Sequence, residues 1–260
     1  MDILDEIVAY KRQEIEAQKK MFPLDLLQNL CDDEERQTLS MSKSLRESST
    51  GIIAEFKRKS PSKGWIKEEG APNVIPVKYA QNGASALSIL TDEHFFGGSL
   101  GYIRQVRDKV ELPILRKDFI IDPYQVYQAR TIGADAILLI AACLTKEQYR
   151  ELSHLAHELS LEVLLEIHTE SELDYVDDEV DMVGVNNRNL GTFHTDVQNS
   201  FRLAEKLPQG NVLVSESGIS SPDTIKQLRT CGFQGFLIGE SFMKTSNPGA
   251  ALHSFIHALR

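Results

Sequence analysis

The sequence predicts an α/β fold: a closed (β/α)8 TIM barrel over residues 51–260, preceded by an N-terminal helical extension over residues 1–50 that packs on it. Two observations carry this reading. From residue 51 onward, eight short β-branched or Leu-rich runs alternate with stretches of helical periodicity, roughly 20–35 residues apart, about the span of one βα unit. No detached helical bundle and no Gly/Pro/Ser-rich linker interrupts the series, and 260 residues suffice for one such barrel. An open doubly wound sheet is the structural alternative. No GxGxxG follows the first run, which removes the dinucleotide fingerprint that would favour it.

Taken in order, the chain opens with Ile3, Leu4, Ile7, Val8 and Ile15 on one stripe of an amphipathic helix. Its opposite, charged face carries Lys11, Arg12, Glu14, Glu16, Lys19 and Lys20. A second apolar patch at 22–30 precedes a polar stretch at 32–50. The extension reads as packed on the barrel, with a lid over one barrel mouth as the sharper alternative. The strand-like runs are 51–56, 86–90, 113–117, 136–140, 161–167, 182–186, 212–216 and 236–239. Helices between them are well punctuated. Thr145 and Gln148 have capping-box spacing ahead of the stripe Tyr149, Leu152, Leu155 and Leu159. Ser221-Pro222 and Asp122-Pro123 each start a helix that stops at a glycine, Gly232 and Gly133.

Thirty-eight acidic residues against 28 Lys and Arg give a formal net charge of −10. Nucleic acid and anionic membrane surfaces are therefore disfavoured as partners, and an anionic substrate needs a local basic pocket. The three cysteines, Cys31, Cys143 and Cys231, form no CxxC pair, which speaks against zinc ribbons and disulfide scaffolds and for a reducing cytoplasm. Asp2, Asp5 and Glu6 stand where a signal peptide needs basic residues, and the longest apolar run, 136–144, is half a membrane span.

Barrel chemistry sits at the C-terminal ends of strands and in the loops that follow. There the chain places Glu55 and Lys57 two apart, hence on one face, at the end of the first run. The third run ends in Lys117, sharing a face with Leu115 and opposite to Arg116. The fifth ends in Glu166, the sixth in Asn186 followed by Arg188, the seventh in Ser215, Glu216, Ser217 and Gly218. Ser217-Gly218 and Gly239-Glu240 follow the seventh and eighth runs, where barrels commonly bind phosphate through backbone N–H groups. The Glu240 side chain is awkward there, since a carboxylate repels a phosphate. His154 and His157 lack acidic partners at metal-site spacing and read as exposed or capping residues. His168 reads as facing away from Glu166, and Cys143 as a buried small hydrophobe. No metal site is expected.

The strings IIAEFKRKSPSKG, ALSILTDEHFFGGS, PILRKDFIID, GADAILLIAACL, LLEIH, GVNNRNL, SESGIS and FLIGESFM, in order over essentially the whole chain, resemble those of indole-3-glycerol phosphate synthases. So does the opening ILDEIVAYKRQEIEAQKK. The resemblance implies conversion of 1-(2-carboxyphenylamino)-1-deoxyribulose 5-phosphate to indole-3-glycerol phosphate, with loss of CO2 and water and no cofactor, in tryptophan biosynthesis. It implies Lys117 as general acid at the C2′ carbonyl oxygen, with burial near other cations lowering its pKa. It implies Glu166 as base or stabiliser of a cationic intermediate, with Glu55 and Lys57 near the anilino group and the dehydration step. Lys57 and Lys117 stay alternatives for protonating the departing hydroxyl. Asn186 and Ser217 fall at positions that orient substrate. Ser60, Ser217, Gly218, Gly239 and Glu240 fall at phosphate-binding positions, and serine is the frequent family choice at 240. Phe96, Phe119, Leu138 and Leu237 fall at the pocket for the anthranilate ring, with Arg188 beside it; Leu138 and Leu237 read equally well as barrel core. The expected partner is a small phosphorylated molecule, with neither nucleic acid nor membrane. The chain is expected to be a cytoplasmic monomer, with association among tryptophan-pathway enzymes left open. Two other functions fit a barrel with a strand-end lysine: a Schiff-base aldolase acting through Lys117, and a non-catalytic sugar-phosphate-binding scaffold.

Overall fold

A parallel strand buried on both sides is apolar on both faces, so packing rather than pattern decides which face lines the axis. The computed structural model, which describes residues 3–177, 179–208 and 210–259, settles that question. Eight parallel strands, β1 (Ile52–Phe56), β2 (Ala86–Leu90), β3 (Ile114–Lys117), β4 (Ala136–Ile140), β5 (Glu162–Ile167), β6 (Met182–Asn186), β7 (Val212–Glu216) and β8 (Phe233–Ile238), pair in chain order. β8 closes on β1 through Ile52–Phe236 and Ile53–Leu237. Ile53, Leu115, Leu138, Leu164, Met182, Val212, Val214 and Leu237 form an inner cluster. Their neighbours Ile52, Ala54, Phe56, Leu87, Ile89, Leu139 and Leu165 face the helices in a separate outer cluster. The strand-like runs 86–90, 136–140, 182–186 and 212–216 coincide with strands to the residue. The eighth differs: it begins at Phe233, three residues early, because its pairing with β7 shifts register between Phe233 and Gly235. That irregularity breaks the period-2 signal that sequence reading relies on.

The helical layer comprises α1 (Ile3–Met21), α2 (Leu24–Asp32), α3 (Met41–Glu47), α4 (Ile75–Gln81), α5 (Leu100–Arg107), α6 (Pro123–Thr131), α7 (Lys146–Glu158), α8 (Gln198–Ala204), α9 (Pro222–Thr230), α10 (Glu240–Met243) and α11 (Pro248–Leu259). The capping box of α7 is present in both directions between Thr145 and Gln148. Asp122 caps Tyr124 N–H at 2.9 Å and Ser221 caps Asp223 N–H at 3.2 Å. Gly133 and Gly232 follow the ends of those two helices at φ 89° and 94°, a conformation a side chain disfavours. Between β5 and β6 the crossover is a 3-10 helix, Glu170–Tyr175, in place of an α-helix.

The extension touches both ends of the barrel. The polar stretch 32–50 contains α3, whose Ser40 cap accepts from Lys43 N–H and whose Met41 and Leu45 join the inner cluster beneath Val212 and Val214. At the other end, Ile3, Leu4 and Ile7 of α1 line the cavity at the barrel mouth. Lys11 corrects the amphipathic reading: it is buried, not solvated. It lies one helical turn from Ile7 and from Ile15, hence on the apolar stripe. Its ammonium meets Asp92 at 2.8 Å, Asp118 at 3.0 Å and Glu14 at 2.8 Å.

Candidate active site

Stepping by two from the inner cluster along each strand arrives at the barrel mouth. Ile53 leads to Glu55, Leu115 to Lys117, Leu164 to Glu166, Met182 through Gly184 to Asn186, and Val212 through Val214 to Glu216. Five polar side chains therefore converge on the axis because their strands end at similar height. The intervening positions point out: Arg116 pairs with Asp118 at 3.1 Å, and Ser215 accepts from Asn187 and bonds Ser200 behind the sheet.

Lys117 is the hub. Its Nζ lies 3.0 Å from Glu166 Oε2 and 3.4 Å from Glu216 Oε2, while Lys57 Nζ pairs with Glu55 Oε1 at 2.5 Å. Burial acts to lower the Lys117 pKa, but the charges of Glu166, Glu216 and Glu55 outweigh it and hold the ammonium well above the usual lysine range. This reverses the expected lowering, because the neighbours are carboxylates and not cations. For Glu166, burial favours the neutral acid, yet Lys117 and His168 prevail and keep the carboxylate ionised. Glu216 goes the other way: burial, with Glu166 and Glu55 nearby, outweighs Lys117 and lifts it far above the carboxylate range. One cation thus sits among carboxyl groups of unequal acidity, which separates an ionised base from a neutral acid.

Two glycines make this crowding possible. A Cβ at Gly184 would collide with Glu216 Oε1. At Gly239 a Cβ would come within 2.5 Å of Glu55 Oε1 and 3.1 Å of its Cβ. The substitution Gly239→Ala is expected to displace Glu55 and cut turnover by at least tenfold while the melting profile stays cooperative. Wild-type turnover in that variant would show that the Glu55 position is not needed.

The fifteen residues that the resemblance places at the site all line a single cavity of about 360 Å³. Phe96 and Phe119 stand with ring centroids 5.9 Å apart. Leu138 and Leu237 prove to be both core and wall, nearly fully buried yet facing the cavity as the top layer of the barrel filling. Across from them lie Ser60, Ser217, Gly218 and Gly239, with Ser217 and Gly218 at φ 68° and 76°. Asn187, buried behind that loop, donates to Ser217 O at 3.0 Å and holds it. The difficulty posed by Glu240 resolves locally. Its carboxylate accepts from Lys63 Nζ at 2.8 Å and lies 3.8 Å from Arg188, so two cations accompany it at the rim. Arg188 also donates to Ser62 Oγ at 2.7 Å.

Sequence reading left three residues out of the site. Glu216 was visible as a polar strand end, and the alternation Val212, Val214, Glu216 is the signal that selects it over Ser217, which lies past the strand. Lys63 enters from a short hairpin, Lys59–Ser60 with Gly64–Trp65, inside the loop after β1, which carries no strand-like pattern. His168 faces Glu166, not away from it, with Nε2 3.2 Å from Glu166 Oε1. Two residues apart means the same side of a strand, so the reading of opposite faces is corrected. Of the remaining candidates, His157 is half-buried and pairs with Asp181 at 2.8 Å, an acidic partner that the helix spacing does not reveal, and burial raises the pKa of the Cys143 thiol and keeps it protonated.

A sequence model of the family described as indole-3-glycerol phosphate synthase matches residues 4–255. The chain belongs to that family. It is 60% identical over 259 residues to the indole-3-glycerol phosphate synthase of Bacteroides thetaiotaomicron, covering 100% of this chain and 99% of that one. It is 44% identical to those of a Polaromonas species (96% and 97% covered) and of Salinibacter ruber (97% and 94%). The enzyme is accordingly a carboxy-lyase of tryptophan biosynthesis. Among solved structures, 3-hexulose-6-phosphate synthase from Salmonella typhimurium superposes with TM-score 0.64 at 13% identity, covering 80% of the enzyme and 98% of that chain. Tryptophan synthase subunit alpha from Legionella pneumophila gives 0.63 at 14%, covering 84% and 97%. At such identities these likenesses speak for the barrel alone. No described helix is long and apolar enough to cross a membrane.

Proposed function

We propose that the cavity closes the indole ring of 1-(2-carboxyphenylamino)-1-deoxyribulose 5-phosphate, with Lys117 as general acid and Glu166 as base. The observation that carries this assignment is the single ammonium held 3.0 Å and 3.4 Å from two carboxyl groups at the axis of the mouth. The phosphate would lie at Ser60, Ser217, Gly218, Gly239 and the Glu240 amide, with Lys63 and Arg188 turning from the Glu240 carboxylate towards it. The anthranilate ring would stack in the wall of Phe96, Phe119, Leu138 and Leu237, folded over the ribulosyl chain. As the ring carbon attacks C2′, the carbonyl oxygen becomes an alkoxide, a base strong enough to take a proton even from a strongly held ammonium. Carbon dioxide then leaves and restores the aromatic ring. The C2′ hydroxyl departs as water, with a proton from Lys57 or from Lys117 once solvent has recharged it, while Glu166 removes the C1′ proton. Asn186 and Ser217 orient the substrate, and Glu55 holds Lys57 in place.

The charge on Lys117 also separates this reading from a Schiff-base aldolase, which needs a neutral amine. Borohydride added with substrate is expected to leave Lys117 unmodified, and a trapped adduct there would reverse the assignment. Wild-type protein mixed with the substrate is expected to develop indole fluorescence with release of one CO2 per turn. Binding without turnover would instead favour a non-catalytic sugar-phosphate scaffold. Residues 1–50 are proposed as a segment appended to the barrel of 51–260, and the enzyme as a cytoplasmic monomer.

A further inference from the structure

Glu166 has two carboxylate oxygens, and a different side chain attends each. Oε2 accepts from Lys117 at 3.0 Å, inside the cavity. Oε1 lies 3.2 Å from the Nε2 of His168. His168 follows the last residue of β5 and is 9% exposed. It does not line the main cavity; it borders a second cavity of about 390 Å³, opening behind the loop after β6, that also holds Glu172 and Asn199. Its Nδ1 is 3.7 Å from Glu172 Oε2, and the same oxygen accepts the His168 backbone N–H at 2.5 Å. Asn199 donates to His168 O at 3.0 Å and to Asn186 O at 3.1 Å, tying the turn to the end of β6.

We propose that His168, as an imidazolium clamped between Glu166 and Glu172, is a positioning residue that keeps Glu166 ionised and aimed at the substrate. The proposal deepens the reading above and rests on Glu166 being the base. Neither ring nitrogen makes an aligned hydrogen bond, so both contacts depend on the charge of the ring. A neutral imidazole would leave two buried nitrogens poorly partnered between carboxylates. The charged groups around the ring agree with a cation. Its own strand contributes Glu166 and the 3-10 helix contributes Glu172. Lys117 of β3, with Glu216 of β7 behind it, stands beyond Glu166; Arg188, His194 and Arg202 border the second cavity. Burial acts to lower the His168 pKa, but Glu166 and Glu172 outweigh it and push it up to about 9. The ring is therefore charged at neutral pH and loses its charge as the pH rises through about 9.

Two measurements test this. In a nuclear magnetic resonance titration of the whole protein, the His168 ring is expected to titrate near 9, and markedly lower in Glu172→Gln. Titration at or below the ordinary value of about 6.5 would overturn the proposal. In pH profiles of kcat, the wild type is expected to lose activity above about 9 through discharge of His168. His168→Asn is expected to have a plateau lowered about tenfold, no limb near that pH, and a KM close to wild type, since the ring does not line the substrate cavity. A purely structural role would lower activity evenly at every pH, and an unchanged alkaline limb in His168→Asn would overturn the proposal. Should that variant not fold, Glu172→Gln decides alone, because its limb must move to lower pH. Wild-type turnover in Glu166→Gln would instead refute the base assignment, which keeps the two failures distinct.

Discussion

Lys117→Ala is expected to lower kcat by about 10²–10⁴-fold, the usual contribution of a positioned acid, while the barrel remains folded by circular dichroism. The loss has two parts. The proton for the C2′ alkoxide is gone, and so is the cation that Glu166, Glu216 and Glu55 share. Without it, Glu166 and Glu216 lose the ammonium between them, and like charges at short range raise carboxyl pKa values above those of the unfolded chain. Groups raised in the folded state oppose folding once the unfolded chain ionises. The variant should therefore approach wild-type stability near pH 4 and fall progressively below it as the pH rises through 5–8. Turnover measured by indole fluorescence, with urea midpoints at pH 4.5 and 7.5, checks both parts. An equal stability deficit at the two pH values would mean that Lys117 does not offset these charges.

Lys11→Met is expected to cost about 3–5 kcal/mol, because it strands buried Asp92 and leaves Asp118 with Arg116 alone. Burial acts to lower the Lys11 pKa, but Asp118, Asp92 and Glu14 outweigh it and raise it above the lysine range. Asp118 is in turn held well below the carboxylate range: burial opposes this, but Lys11 and Arg116 prevail, helped by Thr91. A depressed carboxylate stabilises the fold above its unfolded pKa of about 4, and that stabilisation fades on acidification. The gap between wild type and Lys11→Met should thus be full above about pH 4 and narrow as the pH falls below it. The consequence reaches the site. Asp92 Oδ1 accepts the N–H groups of Phe95 and Phe96 at 2.8 Å and 3.2 Å, and Asp118 Oδ1 accepts that of Phe119 at 2.9 Å. The N-terminal helix therefore helps hold the aromatic wall through one lysine, and KM should rise more than kcat falls. Denaturant midpoints within about 0.5 kcal/mol of wild type would place Lys11 among ordinary solvated lysines.

The barrel was legible because a βα repeat writes itself into the sequence eight times, with strands apolar on both faces and most crossover helices punctuated by a cap or a glycine. Strand-end chemistry was legible for the same reason: Glu55, Lys117 and Glu166 interrupt runs that are otherwise apolar. What stayed hidden was pairing across distance. Lys11 sits on an apolar stripe, yet its burial depends on Asp92 and Asp118, some 80 and more positions away. The helix α3 hides in a polar stretch because only Met41 and Leu45, one turn apart, need be apolar to plug the barrel floor. The shifted start of β8 follows from its register against β7, which no local period encodes. His168 shares a side with Glu166 by simple alternation, and its partner Glu172 enters only because the chain turns at once into a 3-10 helix.

The convergence of Glu55, Lys117 and Glu166 on one sugar phosphate is tested most directly by a crystal structure with a substrate analogue whose C2′ carbonyl has been reduced to an alcohol, so that it binds but cannot cyclise. The account predicts the C2′ oxygen within about 3 Å of Lys117 Nζ, the phosphate at Ser217, Gly218 and Gly239, and the ring against Phe96 and Phe119. An analogue bound with its phosphate elsewhere, or with Lys117 beyond about 6 Å of C2′, would contradict it.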